Sequence, residues 1–175
     1  IDAVGAECNS LIIGGDGLGS GTIIFIGTSS LTVAGDITLG DASYTGTITM
    51  DTGATLTCNS IIEADPGYSG VYGTNTGTVV FNGIFTLPFN LFQFNNLVIN
   101  SGYVSTGGRN LPIEGNLTVN DGATLDLKEQ TANRNTIGGA LTINNGATLK
   151  IGGGGTIPAN FSNHIIGATS IIEYN

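Results

Sequence analysis

A segment of eleven residues recurs along this chain, and its recurrence limits the possible folds more than any other feature of the sequence. LTVNDGATLDL at 117–127 returns 24 residues later as LTINNGATLKI at 141–151, and ITMDTGATLTC at 48–58 is a third version. A second echo, between CNSLII at 8–13 and CNSIIE at 58–63, spans 50 residues, or two units of about 25. Repeats with a period in the twenties are typical of solenoids, in which each unit packs on its neighbours.

The repeated segments show the alternation of short β-strands. In LTVNDGATLDL, alternation directs apolar residues such as Leu117 and Val119 inward and threonines outward, and the Asn-Asp-Gly sequence forms a corner between two strands. No stretch of ten or more residues has helical apolar spacing free of glycine or β-branched runs. The sequence therefore predicts an all-β fold, a right-handed parallel β-helix (β-solenoid) with coils of about 24–25 residues.

Asparagine and glycine stand at the predicted corners. Asn120 and Gly122 in one coil match Asn144 and Gly146 in the next. Both residue types tolerate the positive φ that such corners need, and stacked asparagines can pass side-chain hydrogen bonds from coil to coil. These four residues are predicted to have a structural role.

Uncharged polar residues cover most of the predicted surface. Only 10% of the 175 residues are charged and 29 are glycine, whereas 40% are hydrophobic and occur in short alternating runs that can pack into a core. The net charge of −9 argues against nucleic acid or an anionic membrane as a partner. No apolar window approaches the length of a membrane span, so membrane insertion is not expected.

The chain is predicted to be a single β-solenoid segment, residues 1–175, of a longer repeat array. It opens at Ile1 without a start methionine or an apolar leader, and SIIEYN at 170–175 stops within a strand pattern. An irregular, loop-rich and Phe-rich part is expected between about 64 and 115, where the repeats are interrupted. There IFTLPFNLFQF at 84–94 gathers four of the seven phenylalanines. We interpret them as core packing, with an aromatic binding box as the alternative.

Cys8 and Cys58 are the two cysteines of the chain. The repeat register places them at equivalent inward positions two coils apart, which separates their Cα atoms by about 9–10 Å at a strand spacing of about 4.8 Å. A disulfide needs a Cα separation of less than about 7 Å. The sequence therefore predicts two buried free thiols.

Few residues suggest catalytic chemistry, and no enzymatic activity is expected. Asp36, Asp51, Asp121 and Asp126 are the candidate outward carboxylates, of which Asp51 and Asp121 align at a repeated corner. The single histidine, His164, lies in a loop-like context. None of these residues has the local signature of a catalytic triad or a metal site.

A loop at 63–75 is the favoured binding region. It contributes Asp65, Tyr68 and Tyr72, and Tyr103 lies in a similar glycine-rich context that suits contact with a ligand such as a surface glycan. No cofactor is expected, although the Asp and Asn oxygens of the loops make calcium the candidate cation.

Outward threonines suggest ice binding as a minor alternative. Two repeated positions carry them: Thr49, Thr118 and Thr142 at one, and Thr55, Thr124 and Thr148 at the other. Most strands carry one such threonine and not two, so a regular two-column lattice is not expected.

Four stretches carry a family resemblance: FNNLVINSG at 94–102, GNLTVNDGATLDL at 115–127, GGALTINNGATLKIGG at 138–153 and TIPANFSNHIIGATSIIEYN at 156–175. They resemble the β-solenoid repeats of large secreted, adhesin-like cell-surface proteins of Bacteroidetes and related bacteria. The resemblance implies a secreted, surface-displayed protein and supplies no motif of catalytic residues.

The repeats and the resemblance favour a structural or adhesive role, as a stalk or a filament-forming β-solenoid. Its partners would be flanking repeats of the same polypeptide or a second copy bound end to end, because an exposed solenoid end is a template for strand pairing. The alternative is a carbohydrate-binding or carbohydrate-active parallel β-helix.

Overall fold

Short parallel β-strands make up the regular structure of this chain. The structure, a computed structural model, describes residues 1–15, 17, 19–63, 70–88, 93–153 and 155–175, with the side chains of 70–75 left out. The described residues form nineteen strands and no helix, so none of them forms a helix that could cross a membrane. The strands are β1 (Ala6–Cys8), β2 (Leu11–Ile13), β3 (Gly21–Phe25), β4 (Ser30–Val33), β5 (Asp36–Leu39), β6 (Gly46–Met50), β7 (Thr55–Cys58), β8 (Ser60–Glu63), β9 (Gly70–Asn75), β10 (Thr78–Phe81), β11 (Ile84–Thr86), β12 (Asn96–Ile99), β13 (Tyr103–Ser105), β14 (Leu117–Val119), β15 (Thr124–Asp126), β16 (Gly138–Ile143), β17 (Thr148–Ile151), β18 (Phe161–Ile166) and β19 (Ile171–Tyr174).

Each turn of the chain adds a strand to a sheet begun by the turn before. Sheet A, the longest, stacks β1, β4, β7, β10, β12, β14, β16 and β18. Sheet B holds β2, β5 and β8, sheet C holds β3, β6 and β9, and sheet D holds β11, β13, β15, β17 and β19. All pairings between these strands are parallel, which makes the fold a parallel β-solenoid of about seven turns and confirms the predicted fold class.

The length of the coil changes along the solenoid. Paired residues of β1 and β4 are 25 apart in sequence, and those of β14 and β16 are 24 apart, as the repeat period predicts. Between these regions the offset falls to 18 residues from β10 to β12 and 20 from β12 to β14. Parallel stacking therefore continues through the region where the sequence predicts an interruption, and the coils there are shorter.

Inward apolar residues of successive coils form one continuous core. In sheet A, Leu56, Val79, Leu97, Leu117 and Leu141 follow one another at one inward position, and each is at most 2% exposed. Parallel in-register pairing places side chains of the same type directly above each other. The hydrophobic contacts therefore run along the whole rod.

Phenylalanine side chains fill the core of the shortest coils. Phe81 is fully buried, and its ring centroid lies 4.8 Å from that of Phe85 and 6.0 Å from that of Phe94, both in edge-to-face geometry. Phe94 and the half-buried Phe85 thus take part in core packing, whereas Phe89 and Phe92 lie outside the described residues. Large rings supply core volume where fewer residues are available per turn.

The third copy of the repeated segment, at 48–58, lies on a different side of the solenoid from the other two. Its strands belong to sheets C and A, whereas the strands of 117–127 belong to sheets A and D. The corner itself is shared, because in both segments the alanine amide donates to the carbonyl three residues earlier, at 3.1 and 3.0 Å. The predicted alignment of Asp51 with Asp121 is wrong, since this motif specifies a turn that fits more than one corner of the coil.

Arg134 ties together coils on the side of the solenoid that faces neither sheet A nor sheet D. Its side chain is inserted between turns, with the residue only 8% exposed. Nη1 donates to the carbonyls of Glu114 and Gly115 in the preceding coil, and Nε donates to the carbonyl of Thr136 at 3.0 Å. The guanidinium carbon lies 6.0 Å from the ring centroid of Phe161 in the following coil. One cation thereby connects three successive coils.

The last described coil leaves inward positions uncovered. In β18, His164 pairs with Leu141 and Ile166 pairs with Ile143, yet His164 and Ile166 are exposed. Tyr174 in β19 is 62% exposed although it pairs with the buried Ile151. His164 is therefore part of a strand, where its sequence context predicted a loop.

Candidate functional site

Tyr103, Asp126 and Lys128 form a polar group on the outward face of sheet D, which we call the Tyr103 cluster. Tyr103 begins β13, Asp126 ends β15 one coil later, and Lys128 follows two residues on. Strand alternation buries Leu125 in the core and turns Asp126 outward. Because Asp126 pairs with Ser105, the ring of Tyr103 reaches the carboxylate along the diagonal between adjacent strands.

The Asp126 carboxylate is bonded on both oxygens. Oδ2 accepts a hydrogen bond from the Tyr103 hydroxyl and lies 2.7 Å from Nζ of Lys128, while Oδ1 accepts the backbone N–H of Lys128 at 2.9 Å. Nζ also lies 3.5 Å from the tyrosine oxygen. The Asp126 side chain is 5% exposed, against 54% for that of Lys128. The cluster is thus a nearly buried carboxylate covered by an exposed ammonium group.

Hydrogen bonds within the cluster shift the pKa of each member. Burial acts to raise the pKa of Asp126, but the hydrogen bonds from Lys128 and Tyr103 outweigh it and hold the pKa below its ordinary value. The hydrogen bond to Asp126, reinforced by burial, raises the pKa of Tyr103. The hydrogen bond to the same carboxylate raises the pKa of Lys128. At neutral pH the cluster therefore holds a carboxylate, a neutral phenol and an ammonium group.

The backbone of Lys128 is left-handed, with φ of 53°. This conformation is uncommon for a residue other than glycine and costs about 1 kcal/mol. The bond from its N–H to Asp126 offsets part of that cost. The side chain of Lys128 is therefore directed by a backbone geometry that the carboxylate helps to hold.

A cavity of about 470 Å³ opens beside the cluster. We call it the corner cavity, and its lining residues are Gly108, Asp126, Lys128, Glu129, Gln130, Gly152, Gly153 and Asn175. Since Asp126 pairs with Lys150, the two glycines at 152 and 153 stand one coil above Lys128 and Glu129. The cavity exists because one coil projects polar side chains where the next has none.

Of the residues predicted to bind a ligand, only Tyr103 has a described side chain. Its hydroxyl is engaged with Asp126, and it lies in a strand beside a charged pair. Asp65 and Tyr68 lie outside the described residues, and for Tyr72 the structure gives only the backbone, which pairs with Ile48 in sheet C. The structure thus brings Tyr103 together with none of the other three.

Lys128 and the cavity were not predicted from the sequence. A signal was present, because Asp126 and Lys128 flank the last apolar residue of a strand, and Tyr103 precedes Asp126 by about one coil. The run GGGG at 152–155 gave the other half of that signal, since its offset from 128–131 is the repeat period of 24 residues. Reading both through the period would have placed glycines above a charged corner.

Stacked asparagines form a second regular arrangement, the asparagine ladder of Asn82, Asn100, Asn120 and Asn144. In each step the Nδ2 of one asparagine donates to the Oδ1 of the asparagine one coil earlier, at 2.8 Å in all three bonds. The predicted corner residues Asn120 and Asn144 are the last two members. Asn82 and Asn100 were missed, although each also directly follows a strand of sheet A.

The corner glycines have the backbone that the sequence suggested. Gly122 has φ of 72° and Gly146 has φ of 73°. Both glycines follow a ladder asparagine by two residues, and the amide after each donates back across the turn at 3.0 Å. The ladder and these turns hold the coil boundary and offer no free group for catalysis.

Both cysteines are free, with different exposure. Burial, with a smaller contribution from the negative charge of Asp36, raises the pKa of Cys58 to about 12. Cys8 pairs with Val33 in the predicted register but is half-buried and not buried, because β1 is the terminal strand of sheet A and is covered on one side only. The Cys58 thiol therefore stays protonated at physiological pH.

The described residues contain no group of three or more His, Cys, Asp or Glu side chains that could hold a metal ion. Calcium binding in the loops stays a prediction.

Comparison with protein-family models, with curated proteins and with solved structures finds no match for this chain. The resemblance to surface proteins of Bacteroidetes consequently rests on the repeats, and the arguments on function rest on the geometry.

Proposed function

We propose that the chain is a structural and adhesive segment of a secreted bacterial surface protein, in which it acts as a stalk. The observation that carries this proposal is the unbroken parallel pairing of sheet A through eight strands. Each coil lengthens such a rod by about 4.8 Å. A solenoid of this kind holds whatever it is joined to at a fixed distance, and its length is set by the number of repeats.

The outward face of sheet A supports this role because it is nearly free of charge. One outward column begins with Glu7 and continues without a charge along the rod through Thr32, Thr57, Val80, Val98, Thr118, Thr142 and Ile165. A face of hydroxyl and methyl groups attracts few ionic partners. That property suits a spacer exposed to the medium.

The uncovered inward residues of β18 and β19 support association at that end of the solenoid. His164, Ile166 and Tyr174 occupy positions that a further coil would cover. Flanking repeats of the same polypeptide would supply such a coil, as would the β1 end of a second copy. Contact between two different ends is heterologous and extends into filaments. Light scattering over a range of concentrations tests this part, and a strictly monomeric protein would exclude end-to-end assembly without affecting the stalk.

Removal of one repeat tests the stalk itself. Leu117 and Leu141 occupy equivalent positions, so a variant lacking 117–140 joins Asn116 to an equivalent strand start and should stay folded. Small-angle scattering should show a rod shorter by about 4.8 Å. A matched variant lacking 117–128 removes half a coil, moves a corner into a strand position and should lose cooperative unfolding. If both deletions unfolded the chain alike, it would not be an array of exchangeable repeats.

Surface display is tested in the source organism. Antibodies against the purified chain should label intact cells, and a shortened-repeat strain should keep the label. Labelling that appeared only after permeabilisation would contradict secretion.

Ice binding is supported by a short patch of sheet A. Ser30, Thr55 and Thr78 pair in one outward column beside Thr32 and Thr57 in the next. The sequence-based columns are divided by the structure: Thr118 pairs with Thr142 and Thr124 with Thr148, whereas Thr49 lies in sheet C and Thr55 in sheet A. Thermal hysteresis lost on Thr57→Lys would support this minor alternative, and an absence of hysteresis in the unaltered protein would remove it.

A further inference from the structure

We propose that the corner cavity is a binding site for a neutral saccharide on the side of the stalk. This goes beyond a spacer function, because a rod needs neither a cavity nor a charged corner to hold a distance. It also moves the predicted glycan contact from the 63–75 loop to residues that the sequence did not single out.

The cavity has the size and origin of a built recess. About 470 Å³ falls within the range of roughly 300–1,000 Å³ that is usual for small-molecule sites. A Cβ at Gly152 would overlap the carbonyl oxygen of Lys128, and Gly153 has φ of 60°. Glycine is therefore required at 152 by close backbone approach and favoured at 153 by conformation. The coil above the polar side chains stays open for a reason that its own packing imposes.

Lys128 gives this corner a positioned donor. Its left-handed backbone is an uncommon and unfavourable choice for lysine at an exposed corner, and residues held in such conformations concentrate at functional sites. An ammonium group has three N–H donors. Asp126 receives the closest of them at 2.7 Å, and the oxygen of Tyr103 lies at a weaker 3.5 Å. At least one donor is left for a ligand hydroxyl in the cavity that Lys128 lines.

The lining combines donors and acceptors in the way that adjacent sugar hydroxyls require. Glu129 accepts hydrogen bonds, Gln130 both donates and accepts, and Lys128 donates. A hydroxyl group does both, so neighbouring hydroxyls on a ring can pair with a carboxylate and an ammonium group in turn. The glycines at 152 and 153 add backbone surface without side chains, against which a ring can lie.

Charge selects a neutral ligand. Asp126 and Glu129 carry two negative charges at the cavity, against one positive charge on Lys128. The ammonium group is already paired with Asp126 at 2.7 Å. A uronic acid or a phosphate would therefore meet net repulsion, whereas an uncharged hexose would not.

Nuclear magnetic resonance titration of the whole chain tests the proposal. The probes are cellobiose, maltose, lactose and N,N′-diacetylchitobiose, with digalacturonate as the acidic comparison. At least one neutral disaccharide should shift the amide signals of 128–130 and 152–153 in a saturable way, and digalacturonate should bind more weakly. Lys128→Asn, which keeps a residue tolerant of left-handed φ, should weaken binding by about tenfold or more, the usual effect of losing a charged hydrogen bond.

Lys150→Asn is the matched control, since it makes the same charge change one coil away and its side chain does not line the cavity. Binding to this variant should stay within about twofold of the unaltered protein. Gln130→Ala is a second cavity variant, to be used if Lys128→Asn fails to fold. The proposal is overturned if no neutral disaccharide shifts these amides, if the shifts fall elsewhere, or if the cavity variants bind as well as the control. None of these outcomes alters the response to repeat deletion, so the stalk role is judged separately.

Discussion

The two halves of the solenoid hold their coils together in different ways. In the N-terminal half, residues 1–77, sheets A, B and C stack on three sides. In the C-terminal half, residues 78–175, the described residues form sheets A and D, and on the third side a single isolated bridge joins Phe94 to Ile113. Charge follows the same division. All four basic residues lie in the C-terminal half with five acids, whereas the N-terminal half has eight acids and no base.

The difference shows that side chains replace a sheet on the third side of the C-terminal half. The amide of Thr131 donates to Oδ1 of Asn110 at 3.0 Å, and that of Ala159 donates to Oδ1 of Asn133 at 2.7 Å. Arg134 adds its bonds to the carbonyls of two earlier residues. A backbone ladder accepts almost any sequence, but these contacts need particular residues. The half with fewer ladders therefore carries the specific chemistry, including the corner cavity.

Phe81→Ala should give the largest loss of stability, about 3–5 kcal/mol, because it opens a cavity in the aromatic packing of the shortest coils. Phe25→Ala removes an equally buried ring from the first coil. In a solenoid the effect of a substitution spreads to neighbouring coils. Hydrogen exchange should therefore increase on both sides of β10 in the first variant and mainly before β7 in the second. Equal spreading in both would mean that the two halves unfold as one unit.

Arg134→Met should cost about 2–3 kcal/mol, because it removes charged hydrogen bonds and leaves buried carbonyls without a donor. Lys150→Met is the comparison, since its pair with Glu173 at 3.2 Å is partly exposed and should contribute less than about 1 kcal/mol. Urea denaturation measures both. If the two variants lost equal stability, side-chain ties would not be replacing the third sheet.

Asn120→Ala should cost about 1–2 kcal/mol, because it removes two bonds of the asparagine ladder. Asn82→Ala removes one ladder bond and should cost about half as much. The ratio of the two losses, measured by thermal unfolding, tests whether the ladder contributes bond by bond. Losses of the same size would assign the effect to the corner conformation.

The fold could be predicted from the sequence because period and alternation are local and repeated. The 24-residue offset between 117–127 and 141–151 fixed both the pairing partners and the inward residues in that part of the rod. The corner at 48–58 was misplaced because a turn motif carries no record of which side of the coil it occupies. The coils of 18 and 20 residues were missed because they contain no repeated segment, and their pairing depends on aromatic packing between distant residues.

The candidate site was harder to predict because it is made between coils. Tyr103 was noted as an aromatic residue in a glycine-rich context, but its contact with Asp126 follows from a diagonal across two strands. The corner cavity depends on what is missing above Lys128, which becomes visible only when two coils are superposed. Isolated residues therefore gave weaker evidence than the period would have given.

Acid should weaken the C-terminal half through Asp126. The folded-state pKa of this carboxyl is lowered, so its contribution to stability is present above the ordinary carboxyl pKa of about 3.9 and is lost as the pH falls through the lower folded value. Asp126→Asn keeps the side-chain shape without the charge. The variant should be less stable than the unaltered protein at pH 7, and the difference should shrink below about pH 4.

Asp121→Asn provides the control for this titration, because Asp121 lies on an exposed corner of the same coil and should change stability by less than about 0.5 kcal/mol at any pH. Hydrogen exchange can locate the effect. Loss of the Asp126 bonds should raise exchange around β13 and β15 and leave the N-terminal half unchanged, because those bonds join coils of the C-terminal half alone. If acid loosened both halves equally in the unaltered protein and in Asp126→Asn, general charge effects would govern the pH response, and the Tyr103 cluster would not be a tie between coils.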